Sequence, residues 1–563
     1  MDFLSGLNPQ QQQAVLHVNG PLLILAGAGS GKTRVVTHRI GHLIANHNVV
    51  PERILAVTFT NKAAREMRER VEKLVELPPR RGPNVFTFHS FCVRLLRRDG
   101  AGLQKVRPTF TRDFLIYDDD DQLALLKSLC RQMEIDEKAL PPRNVLSVIS
   151  AAKNRGETPA DLARKETGEK GKYVVALYEK YSDALIRANA LDFDDLLLES
   201  VRLLEVDQPT REKWNDWIEH LMVDEYQDTN SAQYTLTRLL SQQRRNVCVV
   251  GDEDQSIYSW RGADIRNILD FHRDFPDAVT IRLEQNYRST RNILRAAGAV
   301  IANNRERLGK NLWTDAGDGP SVTVYQAPDG EGEALWIADR IRRQVEREPR
   351  KPVAVLYRTN FQSRQIEEAL RRYRINYAVV GGLSFYQRAE IKDMLAYLKL
   401  LAVPSDAVSL LRVINVPARG IGKTTVEQIE NHATQQGIPL WEAIEDLVAR
   451  RQLGARAENA VVVFRNLIEE LRAVALSVPV HELLEAILDR TGYRQMLKED
   501  RTPGAENRIE NIDELLNAAA EASERGESLT DFLDHAALVA DADQVDERKQ
   551  VSLLTVHNAK GLE

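Results

Sequence analysis

The sequence predicts an α/β fold with two parallel-sheet domains, each interrupted by an α-helical insertion. Between residues 22 and 91, short β-rich runs alternate with helical patterns, which is typical of a parallel sheet crossed by helices. Polar helices with few β-rich runs replace this rhythm over residues 113–189 and again over 384–546. Because β-rich runs return after each helical stretch, we expect two α/β domains that are interrupted and then completed.

These changes of pattern set the predicted domain boundaries. The first sheet domain comprises residues 1–112 and 190–285, with its insertion at 113–189. The second comprises residues 286–383 and 547–563, with its insertion at 384–546. Its β-rich runs are SVTVYQA, PVAVLYRTN, INYAVVGG and VSLLT. A chain of 563 residues is too long for one hydrophobic core, which also favours several domains.

Composition excludes several classes of protein. Hydrophobic residues make up 43% of the chain and charged residues 28%, and no apolar run approaches the ~18 residues of a membrane span. The N-terminus lacks the basic start and apolar core of a secretory signal, so we expect a cytoplasmic protein. Cys92, Cys130 and Cys248 are widely spaced, which argues against disulfides and zinc sites. The net charge of −6 gives no global sign of nucleic-acid binding.

The stretch from Leu22 to Thr33, LLILAGAGSGKT, joins an apolar strand to a glycine-rich loop and the start of a helix. Such a loop cradles phosphates with its backbone N–H groups, while the lysine reaches the β and γ oxygens and the threonine hydroxyl holds Mg²⁺. Ala26 stands where the general pattern has its first glycine, and the alternative is a glycine turn that caps an ordinary helix. We expect the phosphates of a nucleoside triphosphate such as ATP to contact Ala28, Gly29, Ser30, Gly31, Lys32, Thr33 and Arg34.

A second indication of a nucleotide site is the acid pair Asp224 and Glu225, which comes directly after the apolar run LMV and so lies at the end of a predicted strand. Asp224 can hold Mg²⁺ together with Thr33, and Glu225 can deprotonate the water that attacks the γ-phosphate. An acid pair alone could be a solvated strand end. In the same predicted sheet as a phosphate loop, it indicates nucleoside triphosphate hydrolysis.

Further polar and aromatic side chains follow predicted strands. In GDEDQSIYSWRGAD, Gln255 could sense the γ-phosphate, and Tyr258 and Trp260 could stack on unpaired bases. The alternative for Trp260 is a purely structural role. Phe59, Phe88, His89 and Asn360 also come just after β-rich runs, at the ligand-binding edge of an open α/β sheet.

Taken in order, nine segments resemble the superfamily 1 DNA helicases of the UvrD/PcrA/Rep group, and the resemblance spans nearly the whole chain. The segments are AGAGSGKT, TFTNKAAREM, TFHSFC, LDFDDL, VDEYQDTN, GDEDQSIYSWRGAD, LEQNYRST, VLYRTN and TVHNAKGLE. The resemblance implies two RecA-like motor domains that close on ATP and step 3′ to 5′ along single-stranded DNA. It also implies that Gln12 reads the adenine edge, Tyr287 stacks on adenine, and Arg288 reaches the γ-phosphate from the second motor domain as an arginine finger.

For DNA, the resemblance implies a single-strand track and a duplex-contacting turn. The track comprises Phe59, Phe193, Tyr258, Trp260, Arg261, Arg358 and Asn360, and we add Asn61 and His89 from the same sheet edge. The turn is VPARGIGKTT, in which Gly420 and Gly422 let backbone N–H groups approach phosphates. We expect partners to be single-stranded DNA and single-strand/duplex junctions, with a bacterial, nucleoid-associated location. We expect a monomer in isolation, with a dimer on DNA as the alternative.

The resemblance also assigns Glu563, the last residue, to the ribose. Members of this family continue beyond this point to a second catalytic arginine, so we expect the given chain to be truncated and its hydrolysis weakened. Two alternatives to a helicase therefore stay open. One is an ATP-gated DNA-binding module with little turnover, and the other is the motor part of a helicase–nuclease.

Overall fold

The computed structural model describes residues 3–75, 81–166, 168–305, 307–380, 385–499, 505–538 and 550–562. The chain forms two compact units. The first, which we call the sheet unit, comprises Met1–Phe91, Gln208–Ser384 and Ala540–Glu563. The second, the helical unit, comprises Cys92–Asp207 and Phe385–Val539. Among the described residues, no helix combines the length and the apolar character that crossing a membrane requires.

The strands of the described residues are β1 (Leu22–Ala26), β2 (Ile54–Thr58), β3 (Asn84–Thr87), β4 (Leu115–Tyr117), β5 (Ala190–Asp192), β6 (His220–Val223), β7 (Val247–Gly251), β8 (Val279–Leu283), β9 (Val353–Tyr357), β10 (Tyr377–Val379) and β11 (Val551–Thr555). The α-helices are α1 (Pro9–Leu16), α2 (Lys32–His47), α3 (Asn61–Leu74), α4 (Phe88–Asp99), α5 (Asp119–Gln132), α6 (Pro142–Asn154), α7 (Pro159–Lys165), α8 (Glu169–Arg187), α9 (Phe193–Val206), α10 (Gln208–Trp217), α11 (Ser231–Leu240), α12 (Arg266–Leu269), α13 (Phe271–Asp274), α14 (Arg291–Ile301), α15 (Gly330–Arg347), α16 (Ser363–Arg372), α17 (Ala389–Ala402), α18 (Ala407–Val413), α19 (Lys423–Gln436), α20 (Leu440–Ala449), α21 (Ala455–Ala475), α22 (Val480–Arg490), α23 (Tyr493–Glu499), α24 (Ala505–Glu524) and α25 (Leu529–Leu538).

The sheet unit contains a six-stranded parallel sheet in the order β3-β2-β6-β7-β1-β8. Every residue of β1, β2, β6 and β7 is buried. Continuous apolar runs are what a parallel sheet covered on both faces requires. Because all six strands run the same way, their carboxyl ends meet at one edge, and that edge receives the phosphate loop and the acid pair.

A second parallel sheet, in the order β10-β11-β9, also lies in the sheet unit. One of its faces packs against α15 and α16 through a core that includes Leu553, Ile341 and Leu370. On β9, burial alternates along the strand, and Leu356 is 51% exposed. The two parallel sheets confirm the predicted α/β class.

One predicted strand is wrong. The run SVTVYQA, residues 321–327, forms no strand, and Val324 is 91% exposed. β-branched residues favour a strand only where a neighbour pairs with it and a face is buried. Within the described part of the chain, this run has neither.

The helical unit unites segments from both predicted insertions. Lys399 of α17 donates to Asp121 of α5 at 2.5 Å. The unit also contains Arg97 of α4, which the predicted boundaries placed in the first sheet domain and which donates to Asp534 of α25 at 2.7 Å. A short parallel pair, β4 with β5, was not predicted. The division of the chain into four domains stays a prediction.

Candidate nucleotide and nucleic-acid site

The phosphate loop lies between β1 and α2, as its sequence predicts. Gly29 and Gly31 have φ of +66° and +84°, a left-handed region that favours glycine. A Cβ on Gly29 would come within 2.6 Å of Asn286 Nδ2, and one on Gly27 would clash with Leu312. The loop closes on itself where Ser30 Oγ donates to the Gly27 carbonyl at 2.7 Å. Lys32 and Thr33 begin α2, so its free N–H groups face the loop.

The acid pair follows β6 at the same sheet edge. Asp224 is buried, and Glu225 has a φ of +52°, which turns it out of the strand direction. Glu225 Oε1 lies 3.6 Å from Lys32 Nζ. Burial by itself raises the pKa of Glu225, but the Lys32 ammonium and a hydrogen bond from Gln227 bring that pKa below its usual value. Glu225 is therefore ionised at neutral pH and can accept a proton.

Gln255 lies on the loop after β7 and connects to the acid pair through two side chains. Its Nε2 donates to Asp252 Oδ2 at 2.5 Å. The Asp252 backbone N–H donates to Gln227 Oε1 at 2.9 Å, and Gln227 Nε2 donates to Glu225 Oε2 at 2.5 Å. One hydrogen-bonded series therefore joins Gln255 to Glu225.

Two glutamines of α1 differ in their contacts, and the role of Gln12 at the adenine edge stays a prediction. Gln12 Nε2 donates to the Leu4 and Leu7 carbonyls, each at 3.1 Å. Gln11 is the buried one, and its Nε2 donates to the Ser30 carbonyl at 2.9 Å. Of the two, Gln11 is the glutamine that contacts the phosphate loop. Its helical spacing with the buried Ala14 and Val15 is a signal that could have found it.

The turn at residues 286–288 lies directly on the phosphate loop. Asn286 Nδ2 donates to the Ala28 carbonyl at 2.6 Å, and the Tyr287 N–H donates to the Gly29 carbonyl at 2.9 Å. Asn286 Oδ1 accepts from the Arg288 N–H at 2.9 Å, which fixes the backbone that carries Arg288. The Tyr287 ring is 52% exposed beside the loop. Asn286, which holds this turn, is not among the residues predicted from the sequence.

An aromatic cluster joins the edges of the two sheets. Tyr258 Oη donates to the His557 carbonyl at 3.0 Å, and the Trp260 and His557 ring centroids are 5.8 Å apart. Arg261 lies over the Trp260 ring at 4.7 Å. Trp260 is 63% exposed, so its ring is available for stacking. His557, which sequence analysis did not single out, completes the cluster from the end of β11.

Lys560, from the same segment as His557, ties that segment to the first sheet. Its ammonium contacts the carboxylate of Asp228 and the carbonyl of Gln255. Burial raises the pKa of Asp228 to about 6, although the charge of Lys560 acts in the opposite direction. Glu563, assigned to the ribose, lies outside the described residues.

Three more predicted DNA residues follow β2 and β3. Phe59 packs edge-on against Phe88, with ring centroids 5.7 Å apart. Asn61 begins α3, and His89 lies in the first turn of α4. Burial lowers the pKa of His89 to about 4, so this ring is neutral at pH 7 and offers hydrogen bonds rather than a charge.

Arg358 and Asn360 follow β9 at the edge of the second sheet, and both are exposed. Between Asn360 and α16 lies Phe361, which is 83% exposed. Its ring is therefore accessible to a ligand at this edge of the sheet. Phe361 is not among the residues predicted from the sequence, because a residue in a short turn carries no periodic signal.

The remaining predicted DNA residues lie in the helical unit. Phe193 begins α9, where the Asp192 side chain caps the helix. Gly420 and Gly422 precede α19, and a Cβ at either position would meet no atom within 4 Å. Their backbone is therefore open to a ligand. The roles of all these site residues stay predictions.

Two family models match the chain. The UvrD/REP helicase N-terminal domain matches residues 7–276, and the UvrD-like helicase C-terminal domain matches residues 281–563. The ATP-dependent DNA helicase PcrA of Bacillus subtilis (strain 168) is 45% identical over 579 aligned residues, which cover all of this chain and 76% of that protein. PcrA of Staphylococcus aureus (strain Mu50) is 44% identical over 573 residues, and PcrA of Staphylococcus epidermidis is 43% identical over 571, each with all of this chain and 77% of the relative covered. The two parallel sheets agree with two RecA-like motor domains, and the chain belongs to the UvrD/PcrA/Rep group of superfamily 1 helicases.

Proposed function

We propose that this chain is an ATP-dependent DNA helicase that moves 3′ to 5′ along single-stranded DNA in repair or replication. The observation that carries the proposal is the shared sheet edge, where Lys32 lies 3.6 Å from Glu225 and the turn with Arg288 rests on the phosphate loop. The relatives named above are ATP-dependent DNA helicases. The 3′ to 5′ direction and the movement along single-stranded DNA are our proposal and go beyond the helicase activity named for those relatives.

For hydrolysis, each residue has one task. The N–H groups of the loop and the Lys32 ammonium bind the β and γ oxygens of ATP. Glu225, ionised at neutral pH, takes the proton of the attacking water. Arg288 stabilises the charge that develops on the γ-phosphate, and Gln255 reports its presence through Asp252 and Gln227.

The residues present fit Mg²⁺. Thr33 and the buried Asp224 supply a hydroxyl and a carboxylate oxygen, the hard ligands that Mg²⁺ prefers beside substrate phosphates. Among the described residues, no group of three or more His, Cys, Asp and Glu side chains could hold a metal. When bound, the ion would neutralise charge on the phosphate oxygens.

For DNA, exposed rings and cations line the sheet edges. Trp260 and the neighbouring Arg261 offer stacking and a charge, and Arg358 and Asn360 offer polar contacts. Stacking accepts any base, which suits a motor that must hold and release each nucleotide in turn. We propose single-strand/duplex junctions as the substrate, with Phe193, Gly420 and Gly422 as contacts from the helical unit. A nucleoid-associated, cytoplasmic location belongs to the same proposal.

Steady-state ATP hydrolysis with and without single-stranded DNA tests the function. We expect DNA to stimulate hydrolysis, and Lys32→Ala and Arg288→Ala to lower kcat by about 100-fold or more. Lys351→Ala is the matched control, because the side chain of that surface lysine pairs with the neighbouring Glu348. Unwinding of 3′-tailed but not 5′-tailed duplexes would support the polarity. Nucleotide binding without DNA-stimulated turnover would contradict the helicase and favour the gated-binding alternative, which the comparisons do not favour.

A further inference from the structure

Lys310 lies buried against three consecutive carboxylates. Its Nζ is 2.6 Å from Asp252 Oδ1, 2.8 Å from Glu253 Oε2 and 2.9 Å from Asp254 Oδ2. The Lys310 side chain is 2% exposed. Burial by itself lowers the pKa of Lys310, but the three carboxylates raise it above its usual value, so the ammonium is charged. The contact with Asp254 Oδ2 is a hydrogen bond, whereas the contact with Glu253 is an ion pair in which, among the described residues, neither carboxylate oxygen has a hydrogen-bond donor.

A second cation reinforces this cluster. Arg307 donates to both oxygens of Asp254, each at 2.8 Å, which is the bidentate geometry of a strong pair. Glu253 depends on the charge of Lys310: among the described residues, no other cation lies within 4 Å of its carboxylate, and its oxygens have no hydrogen-bond donor. Removal of Lys310 would leave a buried carboxylate without compensation.

The cluster connects two parts of the hydrolysis site. Asp252, held by Lys310, is the acceptor for the Gln255 amide, and its backbone begins the series that reaches Glu225. On the other side, Lys310 ends the segment that starts with Asn286 and Arg288. That segment is thus fixed at both ends, on the phosphate loop by Asn286 and on the Gln255 loop by Lys310.

We propose that Lys310 is a positioning residue for ATP hydrolysis. It fixes the position of the Gln255 loop relative to the segment that carries Arg288. The inference rests on the proposed ATP hydrolysis at this site. The Lys310 side chain is enclosed by the three carboxylates rather than open at the phosphate loop. It acts by keeping the Asp252 carboxylate oriented toward Gln255, and a small displacement of such groups is costly to the rate.

The test is the ATPase activity of Lys310→Met at saturating DNA. We expect kcat to fall about 10- to 100-fold with the KM for ATP nearly unchanged, because the loss concerns geometry in the transition state. Lys310→Arg should restore part of the rate. Lys399→Met is the matched control, since it removes another buried lysine–carboxylate pair, in the helical unit. An equal fall of kcat in Lys399→Met would overturn the inference.

A double-mutant cycle separates positioning from loss of fold. If Lys310 acts through Gln255, Lys310→Met should add little to the kcat loss of Gln255→Ala. Independent, multiplying losses would overturn the inference. Should Lys310→Met fail to fold, Lys310→Arg gives the test instead, because it keeps the buried positive charge but changes the contact with Asp252. Its kcat should then fall with the KM for ATP nearly unchanged, and an unchanged kcat would overturn the inference. Failure of the unmodified chain to hydrolyse ATP would refute the proposed function instead.

Discussion

The two parallel sheets of the sheet unit differ in how they are covered. The central strands of the six-stranded sheet are buried at every residue, whereas burial on β9 alternates and Leu356 is 51% exposed. Helix α14 has no buried residue, although its sequence is amphipathic. The first sheet therefore holds the side chains at its edge on strands that are packed on both faces. The second presents its edge, and one face in the described part, to the surroundings.

The position of the polar side chains agrees with this difference. Lys32, Glu225 and Gln255 follow strands of the first sheet and contact one another directly or through Gln227 and Asp252. On the second sheet, Arg358 and Asn360 are exposed and follow its edge strand. Preorganised groups stabilise a transition state well, and exposed groups suit a ligand that must be released.

The sharpest test of this division compares one residue from each edge. We expect Glu225→Gln to lower kcat by about 10²- to 10⁴-fold while nucleotide binding persists, because it removes the proton acceptor. Asn360→Ala should leave kcat at saturating DNA unchanged and raise the Kd for DNA. Parallel kinetics and DNA titrations measure both. Loss of kcat in Asn360→Ala at saturating DNA would contradict the division of tasks.

Packing gives the next largest effect. Ile24→Ala in β1 should destabilise the sheet unit by about 2–5 kcal/mol, because it opens a cavity among fully buried side chains. Leu356→Ala in β9 should cost less than about 1 kcal/mol, since half of that side chain is exposed. Thermal and urea unfolding, followed by circular dichroism, compare the two variants. Equal losses would show that the second sheet is covered as well as the first.

Phe361 tests whether exposure on the second sheet has a function. We expect Phe361→Ala to raise the Kd for single-stranded DNA about 5- to 150-fold, which corresponds to the loss of one stacked base at about 1–3 kcal/mol. Phe361→Tyr should keep the affinity. Val324→Ala is the control, because Val324 is 91% exposed but follows no strand. An unchanged Kd in Phe361→Ala would show that the exposed Phe361 ring does not contact DNA.

Local signals in the sequence were enough to predict much of this molecule. The phosphate loop and Asp224 are each marked by an apolar strand that precedes them, and both lie where predicted. The wrong strand at 321–327 shows the limit, since composition does not reveal whether a neighbour is available for pairing. In a run of four glutamines, the rotation of a short helix decides that Gln11 rather than Gln12 faces the loop. The contact of Lys310 with Asp254 spans 56 positions, which no local pattern encodes.

Acid should weaken the first sheet through His220, which lies buried at the start of β6. Burial, followed by the charges of Arg39, His47 and Arg244, lowers the pKa of His220 to about 4. The unfolded chain, with a pKa near 6.5, binds the proton first, so stability is lost as the pH falls from about 6.5 toward 4. The described strands of the second sheet contain no histidine.

We expect His220 to lower the free energy of unfolding by about 1 kcal/mol at pH 5.5 relative to pH 7.5, which corresponds to a fall of a few degrees in Tm. His220→Asn should reduce this difference in Tm, because the amide does not titrate. His272→Asn is the control, since His272 is exposed, hydrogen-bonds to Thr280 at the surface and lies in the same unit. If both variants keep the full acid sensitivity, protonation elsewhere limits stability, and the buried histidine does not distinguish the two sheets.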